Sequence, residues 1–326
     1  MKKIISILLV LLIVYSCKKL DTYGNANATQ LLAPTNLELC SSYGSVSIHW
    51  TDNASNEDSF LIARSVDSIN YITIGIAPKN TSLFVDTAIL NTTTTYYYSV
   101  VAVNATGKSD PIITSVRIVN TYIPSDSIVV GTGQQYQVWK SKNLETSYYN
   151  NGDTIPEVSD PLVWSNLSTG AWCWYNNDSA NYAQFGKLYN WYALTDPRGI
   201  APAGWHVASL NDWNILIKNL DAAADVSNQT GKASTKVGAQ LKETCFAHWS
   251  FPNSTATDTI HFRALPGHGR NENGQFDNNN YGVWWTASSA GDPATAWGLS
   301  ISENDGSIFK GYHNKNHAYS VRLLKD

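Results

Sequence analysis

The chain has 326 residues, enough for two domains with separate cores. Charged residues make up 15% and the formal charge is −4, with no Lys/Arg block, which excludes electrostatic attraction to nucleic acid as the basis of function. Twelve tryptophans and 18 tyrosines against a neutral Asn/Ser/Thr surface point instead to a β-rich extracytoplasmic protein.

Met1-Lys2-Lys3 precedes an apolar run, Ile4 to Tyr15, which ends in Ser16-Cys17. This is a charged start, an h-region of signal-peptide length and a small residue before a cleavage point. The run is too short for a permanent membrane span. Val14-Tyr15-Ser16-Cys17 resembles the lipobox of bacterial lipoproteins, although Tyr15 is bulkier than the usual residue. The resemblance implies that residues 1–16 are removed and that Cys17 becomes the lipidated first residue. With Lys18 rather than aspartate next, it implies the outer membrane or cell surface of a Gram-negative bacterium. Acyl chains would make the membrane a partner, and the polar residues 17–32 would be a flexible tether.

From 33 to 121 short alternating runs follow one another. Val46-Ser47-Ile48-His49-Trp50, Phe60–Arg64, Tyr71–Gly75 and Tyr96–Asn104 are separated by turn-rich stretches at Asp52–Ser55 and Asn104–Gly107. Period-two runs at such intervals predict an antiparallel, all-β sandwich, with His49 on the solvent side. Trp50-Thr51-Asp52, Glu57-Asp58-Ser59-Phe60, Leu90 six residues before Tyr96, and Val100–Asn104 with Gly107 and Ser109 make the segment resemble an immunoglobulin-like fibronectin type III domain. Such modules act as spacers or protein-contact units, and no chemistry is assigned to this one.

Residues 125–326 form the second predicted domain, after a short link over Ile118–Pro124. Ile128–Val130 and Tyr136–Lys140 read as strands, as does Ala171–Tyr175. Phe185–Leu194 has helical spacing, closed by Asp196-Pro197. Gly204 turns the chain into Trp205-His206-Val207, and Ser209 with Asp212 forms a capping box for a helix that puts Trp213, Leu216, Ile217 and Leu220 on one face. Strand candidates follow at Val283–Thr286, Ala296–Ile301, Ser307–Tyr312 and Ala318–Leu324. Helices followed by strands predict an α+β domain.

Trp172–Tyr175, Gly186–Tyr192, Pro202–Val207, Leu241-Lys242-Glu243, Ala264–Gly267, Trp284–Ser288 and Ser320-Val321-Arg322 occur in an order that resembles the Fibrobacter succinogenes major paralogous domain. The resemblance implies a C-type-lectin-like fold. Ala201 and Leu323 stand where many relatives carry cysteine, and His268-Gly269 replaces a glycine-aromatic pair before Arg270.

The remaining cysteines are Cys40, Cys173 and Cys245, of which Cys173 and Cys245 share one predicted domain and are the candidate disulfide. The odd count leaves one thiol free or paired between chains. No zinc spacing is present, and the scattered histidines follow no ligand pattern. The calcium-binding tripeptides of C-type lectins are missing, since the corresponding strand reads Trp284-Trp285-Thr286. The oxygen-rich stretches Asn271–Asn280 and Glu303–Gly306 therefore read as solvated loops, with no metal and no cofactor expected. Formylglycine-generating enzymes share this general fold, but nothing here matches their close cysteine pair. The protein is expected not to be an enzyme.

The aromatic side chains Trp205, Trp213, Trp284, Trp285 and Trp297 are expected to pack inward, while Tyr281, Tyr312 and Trp249 lie beside polar loops. The ligand-binding candidates are Asn271, Glu272, Asp277, Asn278, Asn279, Asn280, Tyr281 and Tyr312. The expected function is adhesion or recognition of an extracellular glycan or protein by the lectin-like domain on its spacer. A structural envelope component with no ligand of its own is the alternative.

Overall fold

A computed structural model of the chain describes residues 30–88, 94–118, 126–227, 229–278 and 280–326. The expectations for Cys17, the leader, most of the tether, Leu90 and Asn279 lie outside the described residues.

Eight strands build the N-terminal part: β1 (Thr35–Ser42), β2 (Ser45–Thr51), β3 (Ser59–Ser65), β4 (Ile72–Pro78), β5 (Leu83–Asp86), β6 (Thr95–Asn104), β7 (Gly107–Lys108) and β8 (Ile112–Arg117). One sheet runs β1-β2-β5. The other runs β4-β3-β6-β7, with β8 also on β6. Alternation places Val46, Ile48 and Trp50 of β2 inside, facing Phe60 and Ile62 of β3 and Tyr96, Tyr98, Val100 and Ala102 of β6. The result is a β-sandwich. One polar group is drawn into it: Asp86 pairs with Arg64 at 2.6 Å and accepts from the Tyr98 hydroxyl at 2.9 Å.

The remaining strands are β9 (Ser127–Val130), β10 (Gln137–Lys140), β11 (Trp172–Cys173), β12 (Leu188–Asn190), β13 (Trp205–Val207), β14 (Gly231–Ser234), β15 (Gly282–Ser289), β16 (Thr295–Ile301), β17 (Ile308–Asn314), β18 (Ala318–Tyr319) and β19 (Leu323–Lys325). They form three sheets, β13-β19-β10-β9, β11-β12-β18 and β14-β17-β16-β15. The helices are α1 (Pro161–Ser165), α2 (Ser179–Tyr182), α3 (Trp191–Leu194), α4 (Leu210–Leu220) and α5 (Val237–Leu241), of which only α4 exceeds five residues.

Helix α4 forms where its cap demands. Ser209 accepts from the Asp212 backbone N–H at 3.2 Å, and the Asp212 carboxylate accepts from the Ser209 N–H at 2.8 Å. Its apolar stripe then brings the Trp213 ring to 4.9 Å from Trp139, 5.7 Å from Phe262 and 6.2 Å from Trp284. Neighbouring Trp284 and Trp285 point to opposite faces of β15 and so seed two different clusters. Trp285 packs on Tyr189, Trp191 and Tyr319. The indoles act as an internal frame.

Several sequence expectations are corrected. The segment Phe185–Leu194 is not one helix: Gly186 adopts φ 79°, Leu188–Asn190 pairs with β11 and β18, and only Trp191–Leu194 is helical. Leu188, Tyr189 and Asn190 are all buried, so sheet pairing outweighed the apparent helical face. Trp249 is buried, its indole N–H donating to Ala264 O at 2.9 Å, and so cannot meet a ligand.

Another concerns the cysteines. Cys245 is bonded to Cys40, not to Cys173, and Cys173 is a buried free thiol. The two halves therefore meet along a seam that the sequence divided. Around the bond, Ser42 and Thr244 hydroxyls lie 2.9 Å apart, the Tyr43 hydroxyl donates to Asp258, and His49 stacks on Phe251 at 3.6 Å. His49 is thus half-buried against the partner half rather than solvated, and burial holds its imidazole below the usual range. The same burial, reinforced by the Asp258 carboxylate, raises the Tyr43 hydroxyl. No helix among the described residues is long and apolar enough to cross a membrane.

Candidate ligand-binding site

The segment Ser141–Asn150 leaves β10 and runs over the surface of the C-terminal half. Leu144 N–H donates to Val321 O, Tyr149 N–H to Asp153 O, and Asn150 N–H to Gly199 O. Asn143 is the pin. Its Oδ1 accepts from the Trp284 indole at 2.9 Å and from Arg322 Nε at 3.2 Å, while its amide donates to Phe185 O at 2.8 Å. One buried amide thus ties the segment to β15, to the residue before β19 and to the turn before Gly186.

Cavities open on both sides of this segment. The outer one, about 410 Å³, is an open groove with Lys140, Lys142, Glu145, Thr146, Tyr148 and Asn150 on its walls. Tyr148 is 58% exposed, the one large ring that the groove presents to solvent, whereas Tyr149 beside it is buried under Arg198 at 4.0 Å. Asn150 is held by donating to Ala201 O at 2.7 Å. The second cavity, about 280 Å³, shares Lys142, Asn143 and Glu145 and adds Gln184, His248, Arg263 and Arg322. A third, about 230 Å³, shares His248 and Arg263 and reaches Tyr43 and Thr87 of the sandwich.

The electrostatics here are unusual. Glu243 is buried and both its oxygens are engaged, by His248 Nδ1 at 2.6 Å and Arg263 at 3.1 Å. It serves as a counter-ion, not a free base. Arg322 is fully buried, lies over Phe262 at 4.2 Å, and donates only to neutral oxygens: Lys140 O and Phe262 O at 3.0 Å, and Asn143. Desolvation lowers its guanidinium to about 9. Arg270, Lys242 and Lys187 likewise donate to neutral oxygens. Arg270 sits over Trp164 and donates to the Val158, Ser159 and Gly274 carbonyls. Lys242 faces Trp249 and donates to Ser302 O and Glu303 O; Lys187 lies 3.6 Å from the Trp172 ring. Aromatic faces and neutral oxygens are the direct partners of these buried cations, with Glu157 and Glu145 acting on Lys187 and Asp305 and Glu303 on Lys242 from further off.

The sequence candidates lie elsewhere and are largely turned inward. Asn271 Oδ1 caps its own turn through the Asn273 and Gln275 N–H groups at 3.0 and 2.9 Å. Glu272 pairs with His317, which continues through the Tyr319 hydroxyl at 2.6 Å to His313 at 3.1 Å. Asp277 accepts from the Tyr281 hydroxyl, and its carbonyl accepts from Tyr175. The Asp277 carboxylate and, above all, burial raise Tyr281. Asn280 donates to Ser250 at 2.8 Å. Asn278 is exposed, and Tyr312 is 48% exposed, its ring 4.3 Å from Trp297 on the neighbouring strand. The turn and Tyr312 do not share a cavity with the groove. Among the described residues no group of three or more His, Cys, Asp or Glu is placed to hold a metal ion.

The groove residues escaped sequence reasoning because Ser141–Asn150 carries no periodicity; the run Glu145–Asn150, rich in polar groups and tyrosine, was the available signal.

Three solved structures to which the chain is similar each cover less than a third of it. The fn3 domain of human collagen alpha-1(XX) chain is 21% identical, covering 31% of this chain and 98% of that one at a TM-score of 0.27. An Fn3-like protein from Clostridium thermocellum is 29% identical, covering 26% and 90% at 0.22. A beta-1,2-glucanase from Parabacteroides distasonis is 21% identical, covering 30% and 14% at 0.26. No curated protein matches the chain. The strongest comparison is with the Fibrobacter succinogenes major domain, which matches residues 132–325, so more than half of the sequence and every wall residue of the second cavity fall within it. The chain belongs to the Fibrobacter succinogenes major domain family.

Proposed function

We propose that the protein is a lipid-anchored binding protein of the outer membrane or cell surface, recognising carbohydrate or protein outside the cell without catalysis. Cys17 would carry the lipid. The N-terminal sandwich would act as a fibronectin-type spacer, and residues 125–326 would present a lectin-like binding face. The observation that carries this reading is the groove beside Ser141–Asn150, in which exposed Tyr148 stands among Lys140, Glu145, Thr146 and Asn150 on an aromatic frame. An exposed ring ringed by polar donors and acceptors suits a hydroxyl-rich ligand. The internal bonding of Glu272, Asp277 and Tyr281 favours the second reading, a structural envelope component with no ligand.

A glycan array probed with the full chain tests the choice. Binding that falls at least tenfold in Tyr148→Ala supports recognition through the groove; no binding on a broad panel favours the structural role. Labelling with a fatty-acid probe tests the anchor, since Cys17→Ser should lose all label and equal labelling would refute it.

A further inference from the structure

We propose that the second cavity, walled by Lys142, Gln184, His248, Arg263 and Arg322, is an oxyanion site that takes the carboxylate or sulfate group of an acidic glycan lying in the adjoining groove. The inference deepens the binding reading and rests on it.

Several independent features converge there. Arg322 is buried to within 1% of its surface, yet no carboxylate of the described residues lies within 4 Å of it; its hydrogen-bond acceptors, Asn143 Oδ1 and the Lys140 and Phe262 carbonyls, are neutral oxygens, and the Asp258 carboxylate acts on it only from further off. A guanidinium so stripped of water gains most from an anion at the cavity it lines, because its desolvation has already been incurred in folding. Arg263 adds a second guanidinium. It gives one nitrogen to Glu243, while its buried Nε has no partner among the described residues. Lys142 is exposed at the boundary with the groove and lines both cavities, so it can meet an anionic group entering from outside. Against these three cations stand Glu145 on the wall, Glu243 behind Arg263 and also bound to His248, and the buried Asp258, which accepts from the Arg263 backbone N–H and acts on Arg322 from behind the wall. The balance on the wall remains positive. Gln184, whose amide nitrogen donates to Asn181 O at 2.7 Å, completes the wall, and the volume, about 280 Å³, admits a monosaccharide-sized group.

Arg322 already commits Nε and Nη1 to Asn143 and to the Lys140 and Phe262 carbonyls, so an anion would meet its Nη2 together with the Arg263 Nε and the Lys142 ammonium, charge-assisted contacts that a neutral sugar cannot match. The shared wall at Lys142, Asn143 and Glu145 means that an acidic sugar in the inner cavity would leave its neighbouring sugar beside Tyr148.

Isothermal titration of the full chain with sodium glucuronate, glucose and sodium sulfate, at constant ionic strength, tests the site. Glucuronate is expected to bind at least tenfold more tightly than glucose, and Lys142→Gln, an exposed change that leaves the core intact, should weaken it three- to tenfold. Arg322→Lys, checked for folding by circular dichroism, should weaken it further. Sulfate binding that shares this Lys142 dependence, with or without glucuronate binding, also supports the oxyanion site and tells a sulfated ligand from a carboxylated one. Neither glucuronate nor sulfate binding more tightly than glucose, or anion binding indifferent to Lys142→Gln, would overturn it. If a neutral glycan still binds through Tyr148 in that case, the binding reading stands and only the oxyanion site is lost.

Discussion

Cys40 and Cys245 lie 205 residues apart in sequence and are joined by a disulfide, with Cα atoms 5.5 Å apart. The bond fastens β1 of the sandwich to the loop that carries His248, and so to the wall of the inner cavities. Peptide mapping without reductant should recover a Cys40–Cys245 cross-link, with Cys173 alkylated only after unfolding, because burial pushes its thiol up to about 12. A Cys173–Cys245 peptide would contradict the seam. Replacing Cys40 and Cys245 together by serine should cost about 2–5 kcal/mol, the usual range for a native disulfide closing a long loop.

Asn143 joins Trp284, Arg322 and the Phe185 carbonyl through one buried amide. Asn143→Ala would leave the indole N–H and one guanidinium N–H without their acceptor. The expected loss is roughly 2–4 kcal/mol in urea unfolding, since orphaned donors cost more than the bond they made. A loss under about 1 kcal/mol would mean that water replaces the amide.

His313 closes the chain that runs from Glu272 through His317 and Tyr319. Burial, and then the proximity of His317, lower it from 6.5 to about 4. The unfolded imidazole therefore takes up a proton between about pH 6.5 and 4 that the folded one excludes. This contribution is fully present above pH 6.5 and is lost as the pH falls through that window. The urea midpoint should drop from pH 7 to 4.5 more steeply in the native protein than in His313→Gln; parallel profiles would contradict the buried, neutral imidazole.

Ser209 and Asp212 cap α4 reciprocally. Ser209→Ala should destabilise by about 1 kcal/mol, and Ser209→Thr by much less, since its hydroxyl can still accept from the free N–H and donate to the Asp212 carboxylate. Equal losses in thermal unfolding would show that the cap is incidental to helix packing.

What the sequence disclosed was local in origin. The capping box, the alternation of Val46, Ile48 and Trp50, and the inward indoles of Trp213, Trp284 and Trp285 each follow from neighbours within a few residues. What stayed hidden needs partners far along the chain. Helical spacing at Leu188–Asn190 gave way to pairing with β18, more than a hundred residues on. Dividing the chain into two domains disguised the Cys40 partner, because it favoured Cys173 and Cys245, the pair within one domain. Lys187, Lys242, Glu243 and Arg322 were visible as family-motif residues, but charge alone does not reveal burial against carbonyls and rings. The candidate loop Asn271–Asn280 looked like a solvated surface because its own turn bonds and the Tyr281–Asp277 contact cannot be read from composition.

Hydrogen–deuterium exchange of the full chain, with and without a glucuronate-terminated oligosaccharide, tests most directly where ligands are held. Protection is expected along Ser141–Asn150 and around His248 and Arg263, with the turn from Asn271 to Gln275 unchanged. Protection confined to that turn and Tyr312, with the groove unaffected, would contradict the groove as the binding site.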